Sequence, residues 1–501
     1  METLITNFLQ SKLYGYQMDA VIEADKVNKG IICLPTGMGK TYIQAAMVAD
    51  AIRKNPGFAV YVVNAPRITL SFQLYKEITT VLTELKLDAR YVNLNSGRHG
   101  EDSSLNELRR LNGIQHSDIH SGTSIGQINE QVEMARIENQ PVVIFATYHS
   151  AGRLKNLSTK VDMVLNDEAH YLATEQFHYT IQDINADRNY FFTATMRESS
   201  SDEGVGMQNE EVYGRVIKYV SPIEAIAMGK MARVRLHYTI TRDGSVFTEV
   251  DKKIGKVVEE SFRQHQFQLS NYNAKMLVVV DGVSQIKQYI DSEECQEFQE
   301  AGGYVFAIAS DKAIGNYING ERVTRNSFLT TLKEVGANLT TRMVVLHYDT
   351  LSEGIDVPGL TGCLMLRDLS KAKLIQNLGR ILRLDTRDRN AIDSGTLSSS
   401  EVKKYKKPYG YLILPLLEES DRDTVARCEG IVDELRSFDF NPVDDFIFTD
   451  AGNAIPTIDG PEAMPKVQQI KHSLVDMLED TVAEIESEEF AKLDIISMLA
   501  A

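Results

Sequence analysis

Lys40 and Thr41 close the segment LPTGMGKT (34 to 41), which stands between the apolar run GIICLP (30 to 35) and the helical pattern TYIQAAMVADAIRKN. A glycine-rich turn at such a junction brings backbone N–H groups and the positive end of a helix to one point, an arrangement that holds phosphate. Gly37 and Gly39 let the backbone turn and approach an anion with no Cβ in the way. Lys40 supplies a compact cation for the β- and γ-phosphates, and the Thr41 hydroxyl can ligate Mg²⁺. The segment therefore predicts a nucleotide-binding loop made of Pro35, Thr36, Gly37, Met38, Gly39, Lys40 and Thr41.

Two further constellations fit phosphoryl chemistry. Asp167 and Glu168 end the apolar run VDMVLNDEAH (161 to 170). Asp167 can hold Mg²⁺, usually through water, while Glu168 can orient and deprotonate an attacking water. Neighbouring side chains alternate along a strand, so two carboxylates with different tasks suit a strand's end. In QNLGRILR (376 to 383), Gln376, Arg380 and Arg383 are spaced to share one helix face. Arginines presented together stabilise charge on a transferring phosphoryl group.

The string DEAH at 167 to 170, TGMGKT at 36 to 41 and TAT at 193 to 195 resemble, in order, motifs of the DEAH-type helicases of superfamily two. Leu34 stands where the general phosphate-loop pattern has glycine, a departure that this superfamily shares. The resemblance implies two tandem RecA-like α/β domains with parallel sheets and an ATP cleft between them, using ATP and Mg²⁺. It casts His170, Thr193 and Thr195 as residues coupling hydrolysis to strand handling. LYGYQMDA resembles the segment whose glutamine reads adenine, and Gln17 offers the donor and acceptor that this edge requires. NAPRITLSFQ and ATYHS resemble strand-contacting motifs, with Arg67, Thr147 and His149 toward nucleic acid. TLSEGIDVPGL (350 to 360) resembles the fifth motif, with Gly354 and Asp356 toward the nucleotide and Thr350 toward nucleic acid; QNLGRILR fits the sixth.

The likeness covers about residues 10 to 417. Its GIDVP and ATYHS forms look more like restriction-enzyme motor subunits and viral helicases than RNA-splicing helicases. The expectation is an ATP hydrolase that moves along or unwinds nucleic acid, DNA rather than RNA. An RNA helicase and a duplex translocase that does not separate strands stay open. An ATP-binding scaffold without turnover is disfavoured, because Lys40, Thr41, Asp167, Glu168, Arg380 and Arg383 are all present.

The elements that must position these residues alternate between apolar runs and helical patterns, the signature of parallel α/β sheets. Runs at 30–35, 58–66, 141–148, 161–170 and 189–195 form a first series; 274–283, 304–310, 342–350, 362–369 and 410–417 form a second. We expect a first domain over 1–225, with a polar insertion at about 96–140 that is partly helical. A bridging segment follows over 226–272, with a hairpin turn at Arg242-Asp243-Gly244-Ser245, then a second domain over 273–450 and an acidic helical tail over 451–501. The tail's stripe Ile470, Leu474, Leu478, Val482 and Ile485 is expected to dock on the protein's own body, with a protein partner as the alternative for tail or insertion. The lysines of VKKYKKPYG (402 to 410) read as a solvated loop rather than a phosphate contact.

Bulk properties agree with a cytoplasmic enzyme of two or three domains. The chain has 501 residues, 43% hydrophobic and 25% charged, and no run near the about 20 apolar residues that span a bilayer. The net charge of −17 argues against a broad basic face but allows a local grip on phosphates. Cys33, Cys295, Cys363 and Cys428 have no zinc or redox spacing, and we expect reduced thiols.

Overall fold

The computed structural model describes residues 12–94, 120–122, 124–180, 182, 184–198, 204–241, 250–269, 272–309, 314–348, 357–367, 369, 371–417, 430–431, 435 and 446–450. The chain divides into two compact units, Met1–Ser221 and Pro222–Ala501. Thr350, Gly354, Asp356, the 242–245 turn, Cys428 and the 451–501 tail lie outside the described residues. Cys33, Cys295 and Cys363 are buried free thiols. No described helix is long and apolar enough to cross a membrane.

The first unit is built on β1 (Lys29–Cys33), β2 (Val60–Ala65), β3 (Arg90–Leu94), β4 (His120–Gly122), β5 (Val142–Thr147), β6 (Met163–Asn166), β7 (Asn189–Thr193) and β8 (Val216–Tyr219). These form an 8-stranded sheet in the order β4-β3-β5-β2-β6-β7-β1-β8, and every pairing is parallel. A parallel sheet with covered faces needs apolar residues on both sides. β2, β5 and β6 are accordingly buried at every position. The helix Lys40–Lys54 ends before Pro56, which has no N–H to continue the ladder.

Register decides where the site forms. Cys33 of β1 pairs with Thr193 of β7, Phe191 of β7 with Asn166 of β6, and Asn64 of β2 with Asn166. The carboxyl ends of these strands therefore share one edge of the sheet, the edge where ligands of open α/β sheets bind.

The expected insertion at 96–140 needs correction over its later part. β4 extends the sheet beside β3, and helix Ile125–Ile137 buries Ile128, Val132 and Ala135 in the main core. A reciprocal cap between Ser124 and Gln127 starts that helix.

The second unit contains β9 (Arg233–Thr241), β10 (Lys275–Val279), β11 (Tyr304–Ile308), β12 (Asn316–Ile318), β13 (Glu321–Arg322), β14 (Met343–His347), β15 (Gly362–Met365), β16 (Tyr409–Leu417) and β17 (Phe446–Asp450). Their order is β13-β12-β11-β14-β10-β15-β16-β9-β17, parallel throughout except for the antiparallel β12 and β13. The segment 226–272, expected as a bridge, instead supplies β9, which pairs with β16 from Arg233 to Thr241. Helix Val250–Phe267 adds Ile254, Val257, Val258 and Phe262 to the same core. The letters hid this strand because His237 and Thr239 are polar yet fully buried; Thr239 meets Ser261 at 3.0 Å.

Burial holds the proton affinity of His237 down to about 3, aided by Arg235, and pushes that of His265 well below the usual range, aided by His237. Each folded value lies below the unfolded one near 6.5, so the unfolded chain binds more protons and stability falls as pH drops below about 6.5. The expected loss is about 1.4 kcal/mol per pH unit for each histidine until its folded value is reached. Melting of the second unit followed by circular dichroism from pH 7.5 to 4.5 checks this, and H237F should flatten the slope. A melting curve indifferent to pH over that range would sink the assignment.

Candidate active site

Leu34 continues β1, and its N–H donates to the Thr193 carbonyl at 3.0 Å. The chain then turns through a Met38 N–H to Pro35 carbonyl bond of 3.2 Å, and Gly37 and Gly39 take φ of 88° and 76°. Gly39 precedes the helix Lys40–Lys54, whose first N–H groups point toward the loop. The left-handed backbone favours glycine at Gly39, and any Cβ there would come 2.3 Å from Gln17 Nε2 and displace that amide. The Lys40 ammonium is buried and donates to the Leu34 carbonyl at 3.2 Å.

Gln17 and Tyr16 brace this loop from helix Gly15–Asp25. Gln17 Nε2 and the Tyr16 hydroxyl each donate to the Met38 carbonyl at 2.9 Å, and Gln17 Oε1 accepts the Tyr14 N–H at 3.0 Å. Both ends of the amide expected to read adenine thus hold protein groups.

The acidic pair stands at the end of β6, two strands from β1. Asp167 N–H donates to the Asn64 carbonyl at 2.8 Å, and its carboxylate Oδ1 accepts from Gln44 Nε2 at 2.8 Å. Burial, and then the charge of Glu168, raise the Asp167 carboxyl to about 7, against the pull of Lys40 and Gln44. A cation arriving beside it would restore the ionised form. Glu168 adopts φ 49°, the left-handed region, which swings its side chain away from the strand's alternation. Its Oε2 lies 3.4 Å from His170 Nδ1.

His170 links this pair to β7. Its Nδ1 is 3.2 Å from Thr193 Oγ1, which donates to the Thr195 carbonyl at 2.7 Å and accepts the Thr195 N–H at 3.2 Å. With the hydroxyl proton committed to Thr195, the imidazole must be the donor, which assigns the proton to Nδ1. Burial lowers the histidine's proton affinity, against an upward pull from Glu168, so the neutral ring is the working form.

Of the residues expected at nucleic acid, Arg67 is exposed at the start of helix Ile68–Glu84, directly beyond β2. His149 is exposed, with its ring edge-on to Phe177 at 4.8 Å. Thr147, by contrast, is 3% exposed, and its hydroxyl meets the Ser150 hydroxyl at 3.3 Å rather than facing outward.

In the second unit, Gln376 and Arg380 stand one turn apart on helix Lys371–Ile381. Arg383 lies past its end, in the turn that follows, which corrects the expectation of a single helical face. The 402–410 segment is also not simply a solvated loop. Lys403, Lys404 and Lys406 are exposed, but Tyr405 and Lys407 are buried, and Lys407 Nζ donates to the Arg383 carbonyl at 2.7 Å. Asp388 holds the N–H groups of Lys406 and Lys407 at 2.8 Å each. Burial brings the Lys407 ammonium down to about 7.

Sequence reasoning missed Gln44, Asn64 and Asn166, and placed Lys407 in a solvated loop. Asn64 Nδ2 donates to Asn166 Oδ1 at 2.9 Å, and Asn166 Nδ2 to Asn189 Oδ1 at 2.6 Å, an amide ladder across β2, β6 and β7 that is buried except at its Asn189 end. The available signal was an asparagine inside each of two apolar runs, directly before Ala65 and Asp167.

The sequence family described as "Type III restriction enzyme, res subunit" matches residues 10–198. No curated protein matches the chain. Among solved structures, the chain is similar to the ATP-dependent Type ISP restriction-modification enzyme LlaBIII bound to DNA, at 16% identity and TM-score 0.64, over 89% of this chain and 32% of that one. It is also similar to a fragment of a putative HsdR subunit of a type I restriction enzyme from Vibrio vulnificus YJ016, at 15% identity and TM-score 0.52, over 87% of this chain and 68% of that one. The fold is therefore one found in restriction enzymes. The chain spans 32% of the length of LlaBIII.

Proposed function

We propose that this chain, which resembles the superfamily-two helicases and translocases of restriction type, hydrolyses ATP and spends the free energy on moving along or unwinding DNA. The observation that carries the reading is the common sheet edge where Lys40, the Asp167–Glu168 pair and the His170–Thr193 link come together. The fit to a nucleotide is tested by the loop itself: its left-handed glycines leave no Cβ in the turn, and a lysine and a helix start converge there. Thr41 and Asp167 would hold Mg²⁺, which would neutralise charge developing on the phosphates.

Within that frame, Lys40 leaves the Leu34 carbonyl to bind phosphate, and Glu168 accepts the proton of the attacking water. From the sequence resemblance we carry Gln376, Arg380, Arg383, Gly354 and Asp356 forward as further candidates for the nucleotide chemistry. Arg67, His149 and Thr350 are the groups assigned to the nucleic-acid strand. DNA is favoured over RNA because the family that matches the first unit and the solved structure bound to DNA are both restriction enzymes.

The test is steady-state ATP hydrolysis with Mg²⁺, alone and with single-stranded DNA, duplex DNA or RNA. Stimulation by DNA supports the reading, and strand displacement then separates unwinding from translocation. Stimulation by RNA alone overturns the choice of DNA.

The His170–Thr193 bond gives a second handle. T193V keeps the shape of the side chain but removes the hydroxyl that joins His170 to Thr195, and the Thr195 N–H loses its acceptor at a cost of about 1–3 kcal/mol. DNA-stimulated hydrolysis and strand displacement should fall at least tenfold more than hydrolysis without DNA. Equal losses in both assays would count against coupling through Thr193.

A further inference from the structure

Helix Lys40–Lys54 carries Lys40 at its first position and Gln44 one turn later, so both project from the same face. Gln44 is fully buried, and its amide reaches the Asp167 carboxylate at the end of β6. One end of that amide is satisfied, since Nε2 donates to Asp167 Oδ1 at 2.8 Å. The other end, Oε1, is shielded from solvent and has no hydrogen-bond partner. A buried amide oxygen in that condition calls for an explanation, because an apolar side chain of the same volume would fill the space without leaving it unpaired.

The neighbouring chemistry provides one. Mg²⁺ holds on to several of its waters and is usually bound through one or two carboxylates plus substrate phosphates. Those waters need acceptors around them, and such surrounding groups tune metal affinity. We propose that Gln44 is a positioning residue for the metal: Nε2 fixes the Asp167 carboxylate, and Oε1 accepts a hydrogen from a water on Mg²⁺. The proposal rests on the reading of Asp167 as a metal-holding residue. It makes the phosphate-loop helix carry both the cation for the phosphates and the amide that presets the acidic strand end.

The experiment uses the full chain with Mn²⁺ as probe, its free concentration followed by electron paramagnetic resonance, with and without a non-hydrolysable ATP analogue. Q44M and Q44A are compared with wild type and D167N, each first checked for folding by circular dichroism. The expected result is Mn²⁺ binding 10- to 100-fold weaker in both Gln44 variants, with affinity for the metal-free analogue unchanged and turnover partly restored by excess Mn²⁺. Mn²⁺ affinity equal to wild type overturns the proposal. So does a parallel loss of metal-free nucleotide binding, which marks Gln44 as a mere packing element. Failure of wild type itself to bind Mn²⁺ with the analogue overturns the reading of Asp167 instead, a distinguishable outcome because it precedes any variant.

Discussion

Glu168→Gln leaves ATP bound and stalls its turnover, with kcat down by about 10²–10⁴-fold, the usual range for loss of a positioned general base. The substitution keeps the volume of the side chain and a polar oxygen toward His170, 3.4 Å from Glu168 Oε2 in the native chain. Glutamine has the same backbone preferences as glutamate, so the left-handed φ of 49° at this position is no less tolerable. Binding should hold or tighten, because the charge of Glu168 is the second cause of the raised Asp167 carboxyl, after burial. Removing that charge makes the ionised form of Asp167 easier to reach, and metal needs the ionised form. Single-turnover hydrolysis alongside equilibrium nucleotide binding separates the two effects. Near-normal turnover would falsify the role given to Glu168.

Lys40→Ala acts on an earlier step. The ammonium is buried and donates to the Leu34 carbonyl, so it waits within the loop that it is proposed to serve. Its charge-assisted bonds to phosphate contribute about 1.5–3 kcal/mol each, and more where charge develops in the transition state. The expected loss in kcat/KM is therefore about 10³-fold or more, with nucleotide affinity falling as well. Folding should survive, because the brace from Gln17 and Tyr16 holds the loop through the Met38 carbonyl rather than through the lysine. Titration with a fluorescent ATP analogue, paired with a thermal melt, reads both quantities. Retained affinity with full turnover would remove Lys40 from the site.

The first sheet was largely legible because its central strands are buried on both faces and spell continuous apolar runs, as in VVIFAT and VYVVNA. Strands that break this rule were missed for physical reasons. β8 is exposed or half-exposed along its length, β4 spans only His120–Gly122, and β9 hides buried histidine and threonine among apolar letters. The loop and the acidic pair were visible because their chemistry needs particular side chains at fixed spacing. Gln44 was not, since one polar residue within a helix has the same appearance whether it meets water or a carboxylate. Arg383 was placed on a helix face from spacing alone, while Lys407, reached only through the fold, is what anchors its carbonyl.

The strand order also governs when the site can exist during synthesis. β1, which leads into the phosphate loop, has as its neighbours β7 and β8, and Lys29 meets Asn189 while Cys33 meets Tyr219. Both edges of β1 stay unpaired until the ribosome has released nearly the whole first unit. Closing such distant pairings is slow, and open apolar strands are prone to aggregate in the interval. A nascent chain therefore assembles the sheet edge of the proposed nucleotide site late, once β7 and β8 have emerged.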